Sequence, residues 1–301
     1  MRPRQHRLLA HAIVALVVVA AVGCAPPRGF HFDLTADMRD CTPPKHPGPD
    51  YFEGVCLAIR DLGPGAFMIL PGDLDPPTSV RATLDAVLGP EYVMYPVIGN
   101  HELHRPEDMA YLREYNRGGN ALPGIVRTGP PGAEETCYSF DYQDAHFAVI
   151  NQYYDGSSDA GTDGDVVPAL YEWLAEDLAA TDKPYIFVAG HEPAVAVPDL
   201  DNGRVRHRGD SLDKYQQNNH RFWSLLRAHD VVAYFCGHTH NASAAKINGV
   251  WQIECGHARG RGDEGAKSTF VKVYVERDGV RCAFYRHSGR RYELAYEERL
   301  R

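Results

Sequence analysis

The chain has 301 residues, 44% apolar and 24% charged, with 31 Lys+Arg against 40 Asp+Glu and a formal net charge of −9. This is ordinary globular composition, long enough to bury a sizeable core in one large domain or two small ones. An aromatic content of 10% argues against intrinsic disorder, and the acidic balance argues against a binder of nucleic-acid polymers, which needs a basic stripe.

At the N-terminus, Arg2, Arg4 and Arg7 precede an unbroken run of small and aliphatic residues from Ala12 to Gly23, which ends at Cys24. The run is shorter than the roughly 20 residues that span a bilayer, and it has the charge and length of a secretory signal. Ala21-Val22-Gly23-Cys24 resembles a bacterial lipoprotein cleavage box. Residues 1–23 are therefore expected to be a signal peptide, with Cys24 the lipidated mature N-terminus. Residues 24–301 are expected to form one exported domain in the cell envelope or periplasm, touching the membrane only through the lipid anchor. Six cysteines remain: Cys41, Cys56, Cys137, Cys236, Cys255 and Cys282. An even count in an exported chain predicts disulfides, with Cys41–Cys56 the best local pair. Cys236 and Cys255 lie in apolar strand-like runs and also read as buried free thiols.

Strand-like and helix-like patterns then alternate. Phe30 to Ala36 reads as a strand, Phe52 to Arg60 as a short helix and Ala66 to Leu70 as a strand. Val80, Leu84, Val87 and Leu88 form a helical stripe before the strand Tyr92 to Ile98. The region 115–135, rich in Gly and Pro, reads as a surface loop, and Tyr138 to Asn151 as a hairpin turning near Gln143-Asp144. Leu170, Trp173, Leu174 and Leu178 form a second stripe before the strand Tyr185 to Ala189. Residues 200–218 read as a polar loop. Phe222, Leu225 and Leu226 form a third stripe before Val231 to Cys236. From Lys246 onward, Asn248-Gly249 and Asp278-Gly279 are hairpin signals in an antiparallel C-terminal third. The alternation predicts an α/β fold with partly parallel sheets.

Five strand-like runs end in polar groups: Thr35-Ala36-Asp37, Pro71-Gly72-Asp73, Gly99-Asn100-His101-Glu102, Ala189-Gly190-His191 and Gly237-His238-Thr239-His240. Sites in α/β sheets form outside the carboxyl ends of the strands, so these groups should converge. Asp carboxylates and neutral imidazoles suit borderline divalent metals, and one carboxylate can bridge two ions.

This ordered set resembles the calcineurin-like metallophosphoesterase superfamily from about residue 30 to about residue 285. The resemblance implies a four-layer α/β/β/α sandwich, two mixed sheets flanked by helices. It implies a hydrolase of phosphate esters, phosphatase or phosphodiesterase, with two transition-metal ions (Fe, Mn, Zn or Co) and a metal-bridging hydroxide. Asp73 would bridge the ions, Asp37 and His240 would hold the first, and Asn100, His191 and His238 the second. His101 would sit by the phosphate and assist the leaving group. The implied partner is a small phosphate ester.

The family's first motif is usually Asp-x-His, and here its third residue is Arg39. Arginine stays protonated and cannot coordinate a cation. Arg39 is expected either to face the substrate phosphate or to pair with Asp33, Asp40 or another acid. Its presence also motivates two other readings: a single-metal variant, and a non-catalytic envelope binding protein on the same fold. His257, Arg259 and Arg261 in the Gly-rich stretch after Cys255 are further candidates for substrate contact. Glu102 and His104 are candidates to orient Asn100 or His101.

Overall fold

Short apolar runs bounded by turn residues make buried strands, and longer runs with one apolar face make helices that cover them. The computed structural model describes residues 29–39, 48–260, 263 and 265–301. The expected signal peptide, Cys24, Cys41 and Arg261 lie outside the described residues. The elements in chain order are β1 (Phe30–Leu34), α1 (Phe52–Leu62), β2 (Met68–Leu70), α2 (Pro77–Val87), β3 (Met94–Pro96), α3 (Pro106–Tyr115), β4 (Ile125–Thr128), β5 (Tyr138–Tyr142), β6 (Ala145–Val149), α4 (Pro168–Ala180), β7 (Tyr185–Ala189), α5 (Gln216–Ala228), β8 (Ala233–Cys236), β9 (Ala242–Ile247), β10 (Val250–Cys255), β11 (Thr269–Glu276), β12 (Gly279–His287) and β13 (Tyr292–Arg299).

One sheet has the order β13-β12-β11-β1-β2-β3, the other β4-β5-β6-β7-β8-β10-β9. Parallel pairing joins β1, β2 and β3 in the first sheet and β6, β7, β8 and β10 in the second. Strand alternation sends Phe32, Leu34 and Ile69 into the core between the sheets, where they meet Phe147, Phe187 and Phe235. Met68, Leu70 and Met94 point the other way and pack on α1, α2 and α3 through residues such as Val55, Leu84 and Met109. On the far side, Ile186 and Val188 meet Leu174 of α4 and Phe222 of α5. The result is the four-layer α/β/β/α arrangement.

Three local expectations change. The C-terminal third is not one antiparallel unit: β9 and β10 stay in the second sheet, where β10 runs parallel to β8, while β11–β13 join the first. An Asn-Gly turn fixes the local hairpin, and inter-sheet packing decides which sheet receives it. Region 115–135 contributes the edge strand β4, and α3 precedes it without having been expected. Cys137, Cys236, Cys255 and Cys282 are buried and unbridged. Burial pushes the thiols of Cys137 and Cys282 up to about 12, which leaves them inert as nucleophiles. Cys56 is buried against α2 and β2, and its expected pairing with Cys41 lies outside the described residues. Among the described residues, no helix is long and apolar enough to cross a membrane.

A buried ion pair ties β1 to β11, and a buried histidine ties β5 and β6 to α4. Asp33 and Lys272 face each other across β1 and β11 with Nζ 2.7 Å from Oδ1, while Tyr92 Oη and Gly65 N donate to Asp33 Oδ2. Lys272→Met leaves this carboxylate buried without its cation. The variant should lose about 3–5 kcal/mol of unfolding free energy in urea titration. His146, also buried, has Nδ1 2.8 Å from Asp141 and Nε2 2.9 Å from Asp177. Burial opposes its charge, but Asp177 and then Asp141 outweigh it and raise its pKa above the ordinary 6.5. A raised folded-state pKa stabilises fully below the unfolded value and is lost as pH rises through the folded one. The stability difference between wild type and His146→Gln should therefore be largest below about pH 6.5 and shrink at higher pH.

Candidate metal centre

The carboxyl ends of β1, β2 and β3 in one sheet and of β7 and β8 in the other open onto a common rim. Each is followed by a tight loop, and backbone bonds tie the loops together: Asp37 N donates to Gly72 O, Gly237 N to His191 O, and Ala258 N to Ala36 O. Gly72 is required here. It has a φ of +85°, and a Cβ would lie 2.3 Å from His191 Nδ1. Asp37, Asp73, His238 and His240 also have positive φ, between 52° and 67°. Such backbone costs roughly 1–3 kcal/mol per residue and persists where surrounding contacts over-determine it.

The loops bring together Asp37, Asp73, Asn100, His191, His238 and His240. Asp37, Asp73 and His191 offer ligand atoms within 4.8 Å of one another, a group that could hold a metal ion. Both Asp37 carboxylate oxygens are buried and have no hydrogen-bond partner. His191 Nδ1 donates to Pro71 O at 2.7 Å, so its Nε2 carries a bare lone pair. That Nε2 lies 3.1 Å from Asn100 Oδ1, 3.2 Å from His238 Nδ1 and 3.4 Å from Asp73 Oδ1. His238 Nε2 faces Asp210 O at 3.4 Å, which turns its Nδ1 lone pair toward Asn100 Oδ1 at 3.2 Å. His240 Nδ1 donates to Asp263 Oδ2 at 2.6 Å, leaving Nε2 3.7 Å from Asp37 Oδ1.

Lone pairs so arranged repel one another unless a cation lies among them, so this donor set fits metal. The electrostatics agree. Burial lowers the pKa of His191 and His238 and pushes His240 down to about 3, so the imidazoles are neutral ligands. Burial, with the neighbouring Asp73 charge, raises Asp37 well above the usual carboxylate range, a shift a cation would reverse.

A family comparison matches this chain to the calcineurin-like phosphoesterase model over residues 30–242. The chain belongs to the calcineurin-like phosphoesterase family. Among curated proteins, tartrate-resistant acid phosphatase type 5 of Rattus norvegicus is 34% identical over 85 residues, which are 28% of this chain and 22% of that protein's length. Among solved structures, GAP50, the anchor in the inner membrane complex of Plasmodium, has a TM-score of 0.58 at 14% identity, covering 90% of this chain and 88% of that one. PhoD has a TM-score of 0.57 at 12% identity, covering 91% and 69%. At these identities the two structures show the shared fold.

The remaining expected residues of this family member fall around the cluster. The His101 backbone N–H donates to Asp73 Oδ1 at 3.1 Å. Its ring lies 3.7–3.8 Å from Asp73 and Asp75 and 5.7 Å, centre to centre, from His104. Arg39 reaches over this ring, with Nη1 3.0 Å from His101 Nδ1. Asp33 is already taken by Lys272, so it is not the partner of Arg39. Glu102 is fully buried and accepts from Gly99 N, Asp73 N and Leu74 N, which clamps two ligand-bearing loops together. His257 is also fully buried, with Nδ1 accepting from Arg259 N and Nε2 facing Ala266 O. Both nitrogens are occupied by backbone, so it braces the His240 side and offers nothing to a substrate. Arg259 pairs through its backbone with Tyr51.

Sequence reasoning missed Gln152, Asp263, Arg204, Arg206 and His207. Gln152 Oε1 accepts from the N–H groups of His191 and Glu192, fixing that loop. Asp263 accepts from His240, Arg204 and Arg206. The His207 ring lies 4.2 Å from that of His238. The Gly-rich stretch after Cys255 was a signal for Asp263. Nothing in the polar segment 200–218 marked Arg204, Arg206 or His207, and nothing after the 138–151 hairpin marked Gln152.

Proposed function

We propose that this chain is a metal-dependent hydrolase of small phosphate esters with a two-ion centre. The observation that carries the reading is the set of three unprotonated donor atoms, Asn100 Oδ1, His191 Nε2 and His238 Nδ1, gathered within 3.1–3.2 Å of one another beside the orphaned carboxylate of Asp37. In this reading Asn100, His191 and His238 hold one ion, Asp37 and His240 hold the other, and Asp73 lies between them. Iron, manganese, zinc and cobalt all suit these donors. Bound ions would supply Lewis acidity, lowering the pKa of a water and neutralising phosphoryl charge. The protein's part is to hold the donors in place, through Glu102, Gln152 and Asp263, and to position His101. His101, set between Asp73 and Asp75, protonates the departing oxygen. Residues 24–301 are taken as the functional domain, exported and anchored through Cys24, a reading supported by the charged and apolar N-terminal pattern.

The test is hydrolysis of a chromogenic phosphate monoester and a diester by purified residues 25–301 with manganese or zinc. Turnover of either that disappears with chelator and returns with metal supports the reading. Folded, metal-loaded protein that hydrolyses neither would favour the binding-protein alternative. Arg39 favours a second reading, a single-ion variant, because a fixed positive charge beside Asp37 opposes a cation there. Equilibrium dialysis separates the two, at about two ions per chain or one. Asp263→Asn, which weakens the orientation of His240, should lower metal affinity about 10–100-fold in the same dialysis.

A further inference from the structure

The two halves of the centre differ in their surroundings. The guanidinium groups of Arg204 and Arg206 reach the His240 side through Asp263, and that of Arg39, two residues after Asp37, reaches His101. Asp263 is the carboxylate that answers Arg204 and Arg206, at 2.8 and 3.3 Å, and it also holds His240. Arg39 Nη1 contacts both nitrogens of the His101 ring, while Arg206 borders His240 through Asp263, with His240 Nε2 3.7 Å from Asp37 Oδ1. The Arg39 Nε is buried without a hydrogen-bond partner.

We propose that Arg39, at His101, and Arg206, at the His240 side, flank the centre as a guanidinium clamp that selects a terminal phosphate, the group of a monoester, over an internal diester. The inference rests on the phosphoesterase reading of the site and names its substrate class. Guanidinium forks match phosphoryl oxygens in geometry and charge. A terminal phosphate carries about −1.5 to −2 near neutrality, whereas a diester carries a single charge. Two like charges held together are stabilised most by the more highly charged anion.

The Arg206 segment is pinned in place. At its start, the carboxylate of Asp199 takes two bonds from the buried Arg286, at 3.0 and 2.9 Å, and one from Ala242 N at 3.0 Å. Leu200 N donates to Ala242 O, and Arg204 Nε to Asn241 Oδ1. Arg206 itself has Nη1 3.3 Å from Thr239 O, the carbonyl between His238 and His240. Arg39 follows the buried Asp37 and Met38, and it stands where the family's usual ligand would be. A position that cannot serve metal is thereby available to serve the anion.

The experiment compares wild type, Arg39→Gln, Arg206→Gln and Arg206→Lys, each loaded with manganese. It reads kcat/KM for p-nitrophenyl phosphate and for bis(p-nitrophenyl) phosphate, and the Kd for inorganic phosphate by calorimetry. The Gln variants should lower the monoester-to-diester ratio about 10–100-fold and weaken phosphate by a similar factor, the span expected for one lost charged hydrogen bond. Arg206→Lys keeps the charge without the fork and should fall between. Should a Gln variant not fold, the Lys variant still tests the fork. A ratio and a phosphate Kd unchanged within about twofold in every folded variant would overturn the clamp while leaving the phosphoesterase intact. Wild type that turns over neither ester would sink the parent reading, and phosphate affinity alone would then decide the clamp.

Discussion

Asp73→Asn should remove at least about 10³-fold of kcat/KM on any phosphate ester, the upper end of what one preorganised electrostatic stabiliser contributes. Asp73 lies between both halves of the proposed centre, its carboxylate within 4.8 Å of ligand atoms of Asp37 in one half and His191 in the other. Replacing the carboxylate with an amide removes the charge that two cations would share and keeps one oxygen for the His101 N–H. Asparagine also tolerates the residue's φ of 59° better than most side chains. The fold should therefore survive, and circular dichroism should match wild type while bound metal falls. Undiminished turnover in a folded Asp73→Asn protein would place the chemistry elsewhere.

His101→Gln should cost about 10²–10⁴-fold on esters whose leaving alkoxide is strongly basic. The loss should be much smaller on p-nitrophenyl phosphate, whose leaving group departs without a proton. The ring is partly exposed, as a group meeting substrate must be, while Asp73 and Asp75 beside it are buried. A series of monoesters of graded leaving-group basicity measures this as a steeper dependence in the variant. An equal loss across the series would make His101 a binder of the phosphoryl group and not a proton donor. Dialysis should find metal content unchanged, since His101 is not among the proposed ligands.

Much of this arrangement was legible in the sequence because its signals are local. Apolar runs such as Met68-Ile69-Leu70 announce buried strands, and Asn248-Gly249 announces a turn. The candidate donors Asp37, Asp73, Asn100, His191, His238 and His240 each lie in the short loop just beyond a strand end, so a coarse strand assignment sufficed to gather them. Helix α3 was missed because its apolar stripe is weak, with Asp108, Met109 and Leu112 its buried residues. Edge strand β4 was missed because an edge needs apolar partners on one side only, and Gly and Pro around it read as loop. The disulfide expectation rested on cysteine count, which says nothing of burial. Cys236 and Cys255, whose apolar surroundings also read as those of free thiols, sit unbridged in neighbouring interior strands.

Taken alone, the sequence determined the fold family, the candidate donors and the departure at Arg39. Tertiary structure decided what surrounds those donors: Glu102 spanning two loops, Gln152 fixing the His191 loop, Asp263 orienting His240, and Arg206 joining Asp263. The physical reason is range. A ligand's chemistry belongs to one residue, and its place at a strand end follows from neighbours in the chain. The charge balance and hydrogen-bond support of a site instead sum over residues such as Arg39, Arg206 and Asp263. Those residues are far apart in sequence and reach one site only when the chain folds.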